Sequence, residues 1–151
     1  GELFRGFSVR MGIGYNDAKI IDAGASQREV GSTPYNVPKF TASAAGNYEW
    51  SFSDTWGGFI GGDYSFVDKS VSAIARGNPV RPSYSIVNAR AGVRRGNLEI
   101  GIYARNLFDE RANLGDLNNL SLPKVDASGG VIPRVVVLQP RQIGLSFKYG
   151  F

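Results

Sequence analysis

The chain of 151 residues is long enough for one domain, and 17 basic against 13 acidic residues give a formal net charge of +4. It contains no cysteine and no histidine, which excludes disulfides and thiolate or imidazole metal sites and removes the commonest general base. The basic residues are dispersed rather than clustered, a pattern that argues against nucleic-acid binding. No stretch approaches the ~18 apolar residues of a membrane helix. Because the chain starts at Gly1 rather than Met, we expect a mature portion or a fragment.

Nearly every long segment alternates between apolar and polar residues with a period of two, which predicts β-strands. In chain order, strands are predicted at GFSVRMGIGYN, KFTASAAGNYEWSF, WGGFIGGDYSF, SIVNARAGVR, LEIGIYAR and QIGLSFKYGF. None of these segments has a sustained helical period. The sequence therefore predicts an all-β fold of about six strands, the last of which ends on an aromatic residue.

The connections between the predicted strands alternate in length. Short turns at residues 53–55 and 95–97 contain Asp, Gly or Asn, the residues that tight hairpins favour. The connections at residues 21–36, 68–83 and 109–139 are long and rich in Gly, Pro, Asn and Ser. Short turns at one end and long loops at the other are typical of an antiparallel, up-and-down transmembrane β-barrel.

The two faces of the predicted strands have opposite chemistry. On the apolar face, aromatic residues lie near the strand ends and small or aliphatic residues lie between them, which indicates a lipid bilayer with its two interfaces. The other face must border water or a polar plug because it carries charges of both signs, at Lys39, Glu49, Asp63, Arg90, Arg94, Glu99, Arg105 and Lys148. The alternative is a soluble β-domain that turns its apolar faces inward and binds an apolar ligand.

The number of strands is too small for a closed barrel. The smallest membrane barrels use about eight strands, so about six cannot close around a lumen. An open sheet would expose two unpaired edges to a medium that cannot satisfy their hydrogen bonds. We therefore expect this chain to be part of a larger barrel.

Three segments resemble the C-terminal barrel strands of TonB-dependent outer-membrane receptors. They are YNVPKFTASAAGNYEW, YSIVNARAGVRRGNLEIGIYARNLFDERA and QPRQIGLSFKYGF, and they occur in the order of that family. The most specific part is the turn Asn106-Leu107-Phe108-Asp109, followed by a long loop and a terminal strand. The resemblance implies that residues 1–151 are the C-terminal segment of a single barrel domain of about 22 strands in the bacterial outer membrane, with the plug domain absent.

The resemblance also implies a function. Such receptors actively take up a scarce solute, such as a ferric siderophore, cobalamin, an oligosaccharide or an aromatic compound. The implied partners are outer-membrane lipid and lipopolysaccharide, the remaining barrel strands and plug, the TonB system acting through the plug, the barrel-assembly machinery and the small-molecule substrate. A second hypothesis is a non-transport structural or adhesive outer-membrane barrel, which the absence of a plug sequence upstream would favour.

Candidate substrate contacts lie in the loops and the upper lumen, where guanidinium groups can clamp anions and tyrosines can stack on a ligand. These candidates are Arg76, Arg81, Tyr84, Tyr103, Arg105 and Arg134. Lipopolysaccharide phosphates, or carboxylates of the plug and wall, are the alternative partners of the arginines.

The end of the chain resembles the β-signal that the barrel-assembly machinery recognises, a polar residue followed by glycine and two spaced aromatic residues. The matching residues are Gln142, Gly144, Phe147 and Tyr149, with Phe151 at the terminus. An ordinary amphipathic edge strand is the alternative interpretation.

No segment carries a catalytic or metal-binding pattern. The acidic pair at residues 109–110 has no partner base, so we predict that the protein is not an enzyme. A polar loop is favoured over a calcium site at NLGDLNN, although it offers oxygen ligands at Asn113, Asp116, Asn118 and Asn119. No metal or cofactor is therefore predicted. The run VIPRVVVL is strongly β-forming and is expected either to extend the last hairpin above the membrane or to fold over the mouth.

Overall fold

The structure is a computed structural model that describes residues 1–22, 24, 30–72, 80–117, 127–128 and 134–150. These residues form strands β1 (Glu2–Phe4), β2 (Phe7–Tyr15), β3 (Phe40–Ser51), β4 (Trp56–Val67), β5 (Ser70–Val71), β6 (Val80–Arg81), β7 (Tyr84–Arg95), β8 (Leu98–Arg105), β9 (Asn113–Leu117), β10 (Arg134–Val137) and β11 (Gln142–Tyr149). None of the described residues belongs to a helix long and apolar enough to cross a membrane.

Seven strands form one antiparallel sheet in the order β1-β2-β3-β4-β7-β8-β11. The six predicted strands are β2, β3, β4, β7, β8 and β11, so the all-β, up-and-down prediction is confirmed. Strand β5 pairs with β6, and β9 pairs with β10, within two of the long connections. The alternation of apolar and polar residues did not predict these pairs, because β5 has two residues and β9 only five, too few to show a period of two.

The register of the sheet aligns apolar residues with apolar residues, and polar residues with polar residues, from strand to strand. Successive pairings align one apolar row at Trp50, Gly58, Val93, Ile100 and Phe147. They align a polar row at Asn47, Gly61, Arg90, Tyr103 and Gly144. Because side chains alternate along a strand, a slip of one residue would exchange the faces of that strand, so this register preserves the separation that the sequence predicts.

The apolar face lies open rather than packed against a second layer. Ile13 is 78 % exposed and Leu145 is 82 % exposed, although both lie within long strands. Among the described residues, the buried hydrophobic side chains are those of Phe59 and Ala112 alone. A soluble β-domain would bury its apolar face to gain hydrophobic free energy. This sheet instead requires an apolar environment outside itself.

Tight turns close the sheet at what we call the short-turn end. Strands β7 and β8 are joined by Gly96 and Asn97, and Gly96 adopts a positive φ of 52°, which glycine tolerates without strain. Asn97 also holds the end of β11. Its carbonyl oxygen accepts a bond from the Gly150 amide at 3.0 Å, and its Nδ2 donates to the Gly150 carbonyl at 3.1 Å. Two hydrogen bonds therefore connect Gly150, just after β11, to the turn between β7 and β8.

The opposite, long-loop end carries the additional strand pairs. Strand β9 follows β8 and β10 precedes β11, so the β9–β10 pair continues the last hairpin beyond the main sheet. The Leu138 amide donates to the Ala112 carbonyl at 2.9 Å, which adds a rung at the base of this pair. Residues 134–138 of the VIPRVVVL run lie in or next to β10, which agrees with an extension of the hairpin, while residues 131–133 lie outside the described ranges.

Candidate functional site

Residues from the polar face surround one hollow of about 1010 Å³. Its walls include side chains from six strands of the main sheet, among them Ser8, Arg10, Asn47, Asp63, Asn88, Arg90, Tyr103, Arg105 and Ser146. A flat sheet could not bring residues of β2 and β11, which lie five positions apart in the strand order, to a single hollow. The main sheet is therefore curved, with its polar face on the inside.

A chain of polar contacts crosses the short-turn half of this face. Arg94 donates from Nε and Nη2 to Oε2 of Glu99 at 3.1 and 2.9 Å, and from Nη1 to Oε2 of Glu49 at 3.2 Å. Asn47 donates from Nδ2 to Oε1 of Glu49 at 3.1 Å and accepts a bond from Nη2 of Arg90 at 3.0 Å. Each exposed ion pair contributes little stability by itself. Together they hold both arginine side chains against the wall.

The aromatic ring of Phe59 lies beneath these arginines, on the polar face. The Arg90 and Arg94 guanidinium carbons lie 5.8 and 5.7 Å from the ring centroid, within cation–π range. Only 5 % of Phe59 is exposed, partly because the ring packs over Gly92, where a Cβ would come within 2.5 Å of the Phe59 Cζ. Sequence analysis missed this cluster. The period of two already placed Phe59 on the side of Asp63, and the adjacent apolar Ile60 obscured that signal.

The half of the hollow nearer the long loops differs from the short-turn half because its arginines form no ion pairs with the described carboxylates. Tyr103 lies over Gly144, where a Cβ would come within 2.6 Å of the phenolic oxygen, and Arg105 stacks on Tyr103 at 5.4 Å. Asn88 donates to Oδ2 of Asp63 at 2.7 Å. Neither Arg10 nor Arg105 forms an ion pair with a carboxylate among the described residues. This part of the wall therefore carries two arginines against the one carboxylate of Asp63, a net positive charge that attracts anions.

The family-like turn after β8 is built around Asn106, which is only 4 % exposed. Its Nδ2 donates to the carbonyls of Glu110 and Gln139 at 3.0 and 2.9 Å, and its Oδ1 accepts from the Glu110 amide at 2.8 Å. Its own amide donates to Oδ1 of Asn88 at 2.9 Å. One side chain thus connects the end of β8 to the segments that lead into β9 and β11.

Asp109 completes the same turn. Its Oδ1 accepts a bond from the Arg141 amide at 2.9 Å, and its Oδ2 lies 3.1 Å from Nη2 of Arg111. The Arg141 amide is the main cause, and Arg111 the second, of an Asp109 pKa below the ordinary aspartate value. Asn106 and Asp109 both have positive φ, at 49° and 54°, a conformation that Asn and Asp adopt more readily than other non-glycine residues.

Arg81, a predicted substrate contact, lies among the long connections and is 8 % exposed. Its guanidinium donates to the Leu114 carbonyl at 3.2 Å and to the side-chain oxygen of Asn36. The Asn36 amide in turn donates to the Val71 carbonyl at 2.8 Å. The three long connections therefore meet at Arg81.

The other predicted substrate contacts lie in different places. Tyr103 and Arg105 line the hollow together, as described above. Tyr84 is half-buried at the first residue of β7, at the long-loop end. The backbone of Arg134 begins β10, while its side chain and the whole of Arg76 lie outside the part of the chain that the structure describes.

The predicted assembly signal occupies β11, which forms one edge of the main sheet. Gln142 and Gly144 lie on the polar face, while Phe147 and Tyr149 lie exposed on the apolar face. The terminal Phe151 is outside the described residues.

The structure offers no metal site among the residues it describes, where no three Asp or Glu side chains cluster. Of the possible calcium ligands in NLGDLNN, Asn113 and Asp116 lie in β9. Asn113 Oδ1 accepts a bond from the Gly115 amide at 3.0 Å. Asn118 and Asn119 fall outside the described ranges.

A curved, antiparallel, up-and-down sheet with an exposed apolar outer face and a charged inner face is the wall of a membrane-type β-barrel. Residues 2–107 match the family described as TonB dependent receptor-like, beta-barrel. The chain belongs to this family of outer-membrane transport receptors, as the resemblance predicted.

The comparison with solved structures gives the same fold. The chain is similar to the crystal structure of the ferric-catecholate import receptor Fiu from K12 E. coli in its closed form, with a TM-score of 0.66 and 19 % sequence identity. The match covers 100 % of this chain and 20 % of that receptor, so the chain spans about a fifth of its length. No curated protein matches the sequence.

Proposed function

We propose that this chain forms part of the wall of a TonB-dependent receptor that takes up a scarce anionic solute, of the ferric siderophore kind, across the bacterial outer membrane. The observation that carries the proposal is the net positive charge of the hollow, where Arg10, Arg90 and Arg105 outnumber the carboxylates of Asp63 and Glu99. None of the three forms an ion pair with a carboxylate among the residues described. The similar receptor Fiu is described as a ferric-catecholate importer, and a catecholate combines negative charge with an aromatic ring.

The stacked pair of Tyr103 and Arg105 suits such a ligand chemically. A guanidinium can donate two parallel hydrogen bonds to adjacent anionic oxygens, and the half-buried Tyr103 ring holds the Arg105 guanidinium in place for this contact. In this proposal the solute binds at the outer mouth and the plug of the full-length receptor rearranges with energy from the TonB system. The solute then passes along the polar wall, and no covalent chemistry is involved.

The proposal assigns partners to the remaining surfaces. The apolar face contacts outer-membrane lipid, and the outer rim contacts lipopolysaccharide. The two open edges of the sheet pair with the remaining strands of the barrel, since unpaired backbone groups are too costly in hydrocarbon. Strand β11, with Phe147 and Tyr149 exposed on an open edge, serves as the address for the barrel-assembly machinery.

Binding by the full-length receptor tests the proposal. Replacing Arg105 by Gln should weaken the affinity for an anionic ferric catecholate by roughly ten- to a hundredfold, because a hydrogen bond to a charged group contributes about 1.5–3 kcal/mol. The affinity of the Arg105→Lys receptor should lie between those of the unaltered and Arg105→Gln receptors, since lysine keeps the positive charge but lacks the planar guanidinium. Lys148→Gln is the matched control, a cation of the polar face that does not line the hollow.

Two measurements separate binding from transport. Isothermal titration calorimetry gives the affinity, and accumulation of radioactive iron in cells with and without an active TonB system gives the uptake. If the Arg105→Gln receptor binds the ferric catecholate as tightly as the unaltered receptor, the assignment of an anionic solute to this wall is refuted.

The alternative, a structural or adhesive barrel, draws support from the long-loop end. Phe108, Val135 and Val137 are exposed there, and apolar side chains outside the bilayer can bind a surface partner. Uptake that stops when the plug is deleted from the full-length protein would argue for the receptor. A barrel that has no plug would argue for the alternative.

A further inference from the structure

Arg95 is the one charged residue on the apolar face of the six long strands, all of which the structure describes. Every other residue of that face is apolar or aromatic, apart from Ser85 at the long-loop end. Arg95 is the last residue of β7 and is exposed. A charged side chain on a lipid-facing surface is expensive in hydrocarbon, so its position on that surface requires an explanation.

The side chain lies at the short-turn end of the apolar face, in a group of aromatic residues that we call the aromatic girdle and that includes Trp50, Trp56 and Tyr149. Register places Arg95 between Trp56 of β4 and Leu98 of β8, and Leu98 is opposite Tyr149 of β11. The Arg95 guanidinium carbon lies 5.4 Å from the centroid of the Trp56 ring, a cation–π contact. Indole and phenol rings favour the level of the lipid headgroups. The cation therefore lies at the depth of the headgroups.

The charge of Arg95 has no carboxylate partner among the residues that the structure describes. Arg94, its neighbour on the polar face, pairs with Glu49 and Glu99, whereas Arg95 forms no ion pair with a carboxylate in the described ranges. The cation–π contact fixes the guanidinium on the indole and leaves its donors without an anion. A phosphodiester accepts two parallel hydrogen bonds from a guanidinium, and it is the anion that a bilayer supplies at this depth.

We propose that Arg95 and Trp56 form a binding site for the headgroup of an anionic phospholipid in the leaflet at the short-turn end. The indole fixes the guanidinium at the interface, the guanidinium binds the phosphate, and the acyl chains lie along the apolar side chains of β7 and β8. This inference depends on the placement of the barrel in a membrane and is independent of which solute the receptor carries.

The test uses the purified full-length receptor in mixed micelles of a neutral detergent. Native mass spectrometry measures how much phosphatidylglycerol remains bound, with phosphatidylcholine at the same concentration as the neutral competitor. Arg95→Gln should lower the retention of phosphatidylglycerol about fivefold, the effect expected for one basic residue near an anionic surface. Arg95→Lys should retain an intermediate amount.

Lys148→Gln is the matched control because Lys148 is a strand cation on the polar face that does not line the hollow and has no ion pair in the described residues. It should leave lipid retention unchanged. Equal retention by the Arg95→Gln and unaltered receptors would overturn the proposal, as would an equal loss in the Lys148→Gln receptor. Displacement of the lipid by millimolar inorganic phosphate would show a site for a free ion and would also overturn it. If Arg95→Gln fails to assemble, Trp56→Leu provides the same comparison, with a smaller loss expected.

Discussion

The hydrogen bonds of Asn106 predict that this residue stabilises the whole turn after β8. Replacing Asn106 by Ala removes three side-chain bonds at 2.8–3.0 Å from a site that is 4 % exposed. At a net contribution of about 1 kcal/mol each, these bonds account for about 3 kcal/mol. Alanine at a positive φ adds about 1 kcal/mol of strain. The expected loss of local stability is about 4 kcal/mol.

Hydrogen–deuterium exchange of the full-length receptor can measure this loss. The Asp109 amide donates to the main-chain carbonyl of Asn106 at 2.9 Å, a bond that the substitution leaves in place, so its protection reports the opening of the turn. A loss of about 4 kcal/mol corresponds to roughly a thousandfold faster exchange, since each 1.4 kcal/mol is a factor of ten. The Ile60 amide, in the middle of β4, is the internal control and should keep its protection.

A second variant separates the hydrogen bonds from the backbone strain. Asn106→Gly removes the same three bonds and tolerates the positive φ, so the protection of the Asp109 amide should fall about fivefold less than in Asn106→Ala. If the Asp109 amide in Asn106→Ala exchanges within tenfold of the unaltered receptor, Asn106 does not hold the turn.

Two further predictions concern the lipid-facing side of the sheet and the acid response of the turn. Ile60→Arg should destabilise the barrel by about 2–4 kcal/mol in lipid, whereas Ser65→Arg, on the polar face of the same strand, should have a smaller effect. Equal damage in urea unfolding from lipid vesicles would contradict the assignment of the faces. The Asp109 pKa lies below its unfolded value of about 3.9, so its stabilising effect is complete above that pH and is lost as the pH falls through the folded value. Protection of the Arg141 amide should therefore stay constant from pH 7 to 5 and then decrease below pH 4, and Asp109→Asn should remove this decrease.

The strands and their two faces could be predicted from the sequence alone. A period of two requires only that neighbouring side chains point in opposite directions, which is a local property of an extended chain. Residues 96–97 form a tight turn for an equally local reason, because glycine tolerates a positive φ. The resemblance of three short segments was enough to identify the family, although it left the roles of single side chains undetermined.

The tertiary structure decided which distant residues meet. Phe59 stacks with arginines of β7, Asn106 binds Gln139, and Arg81 binds Asn36, and each pair is separated by more than 30 residues in the sequence or lies on different strands. The proposed lipid contact of Arg95 could be inferred only from the strand register, which places Arg95 beside Trp56 in the aromatic girdle. The physical reason is that alternation specifies the face on which a side chain lies, while strand pairing specifies its neighbours, and pairing depends on contacts between segments far apart in the chain.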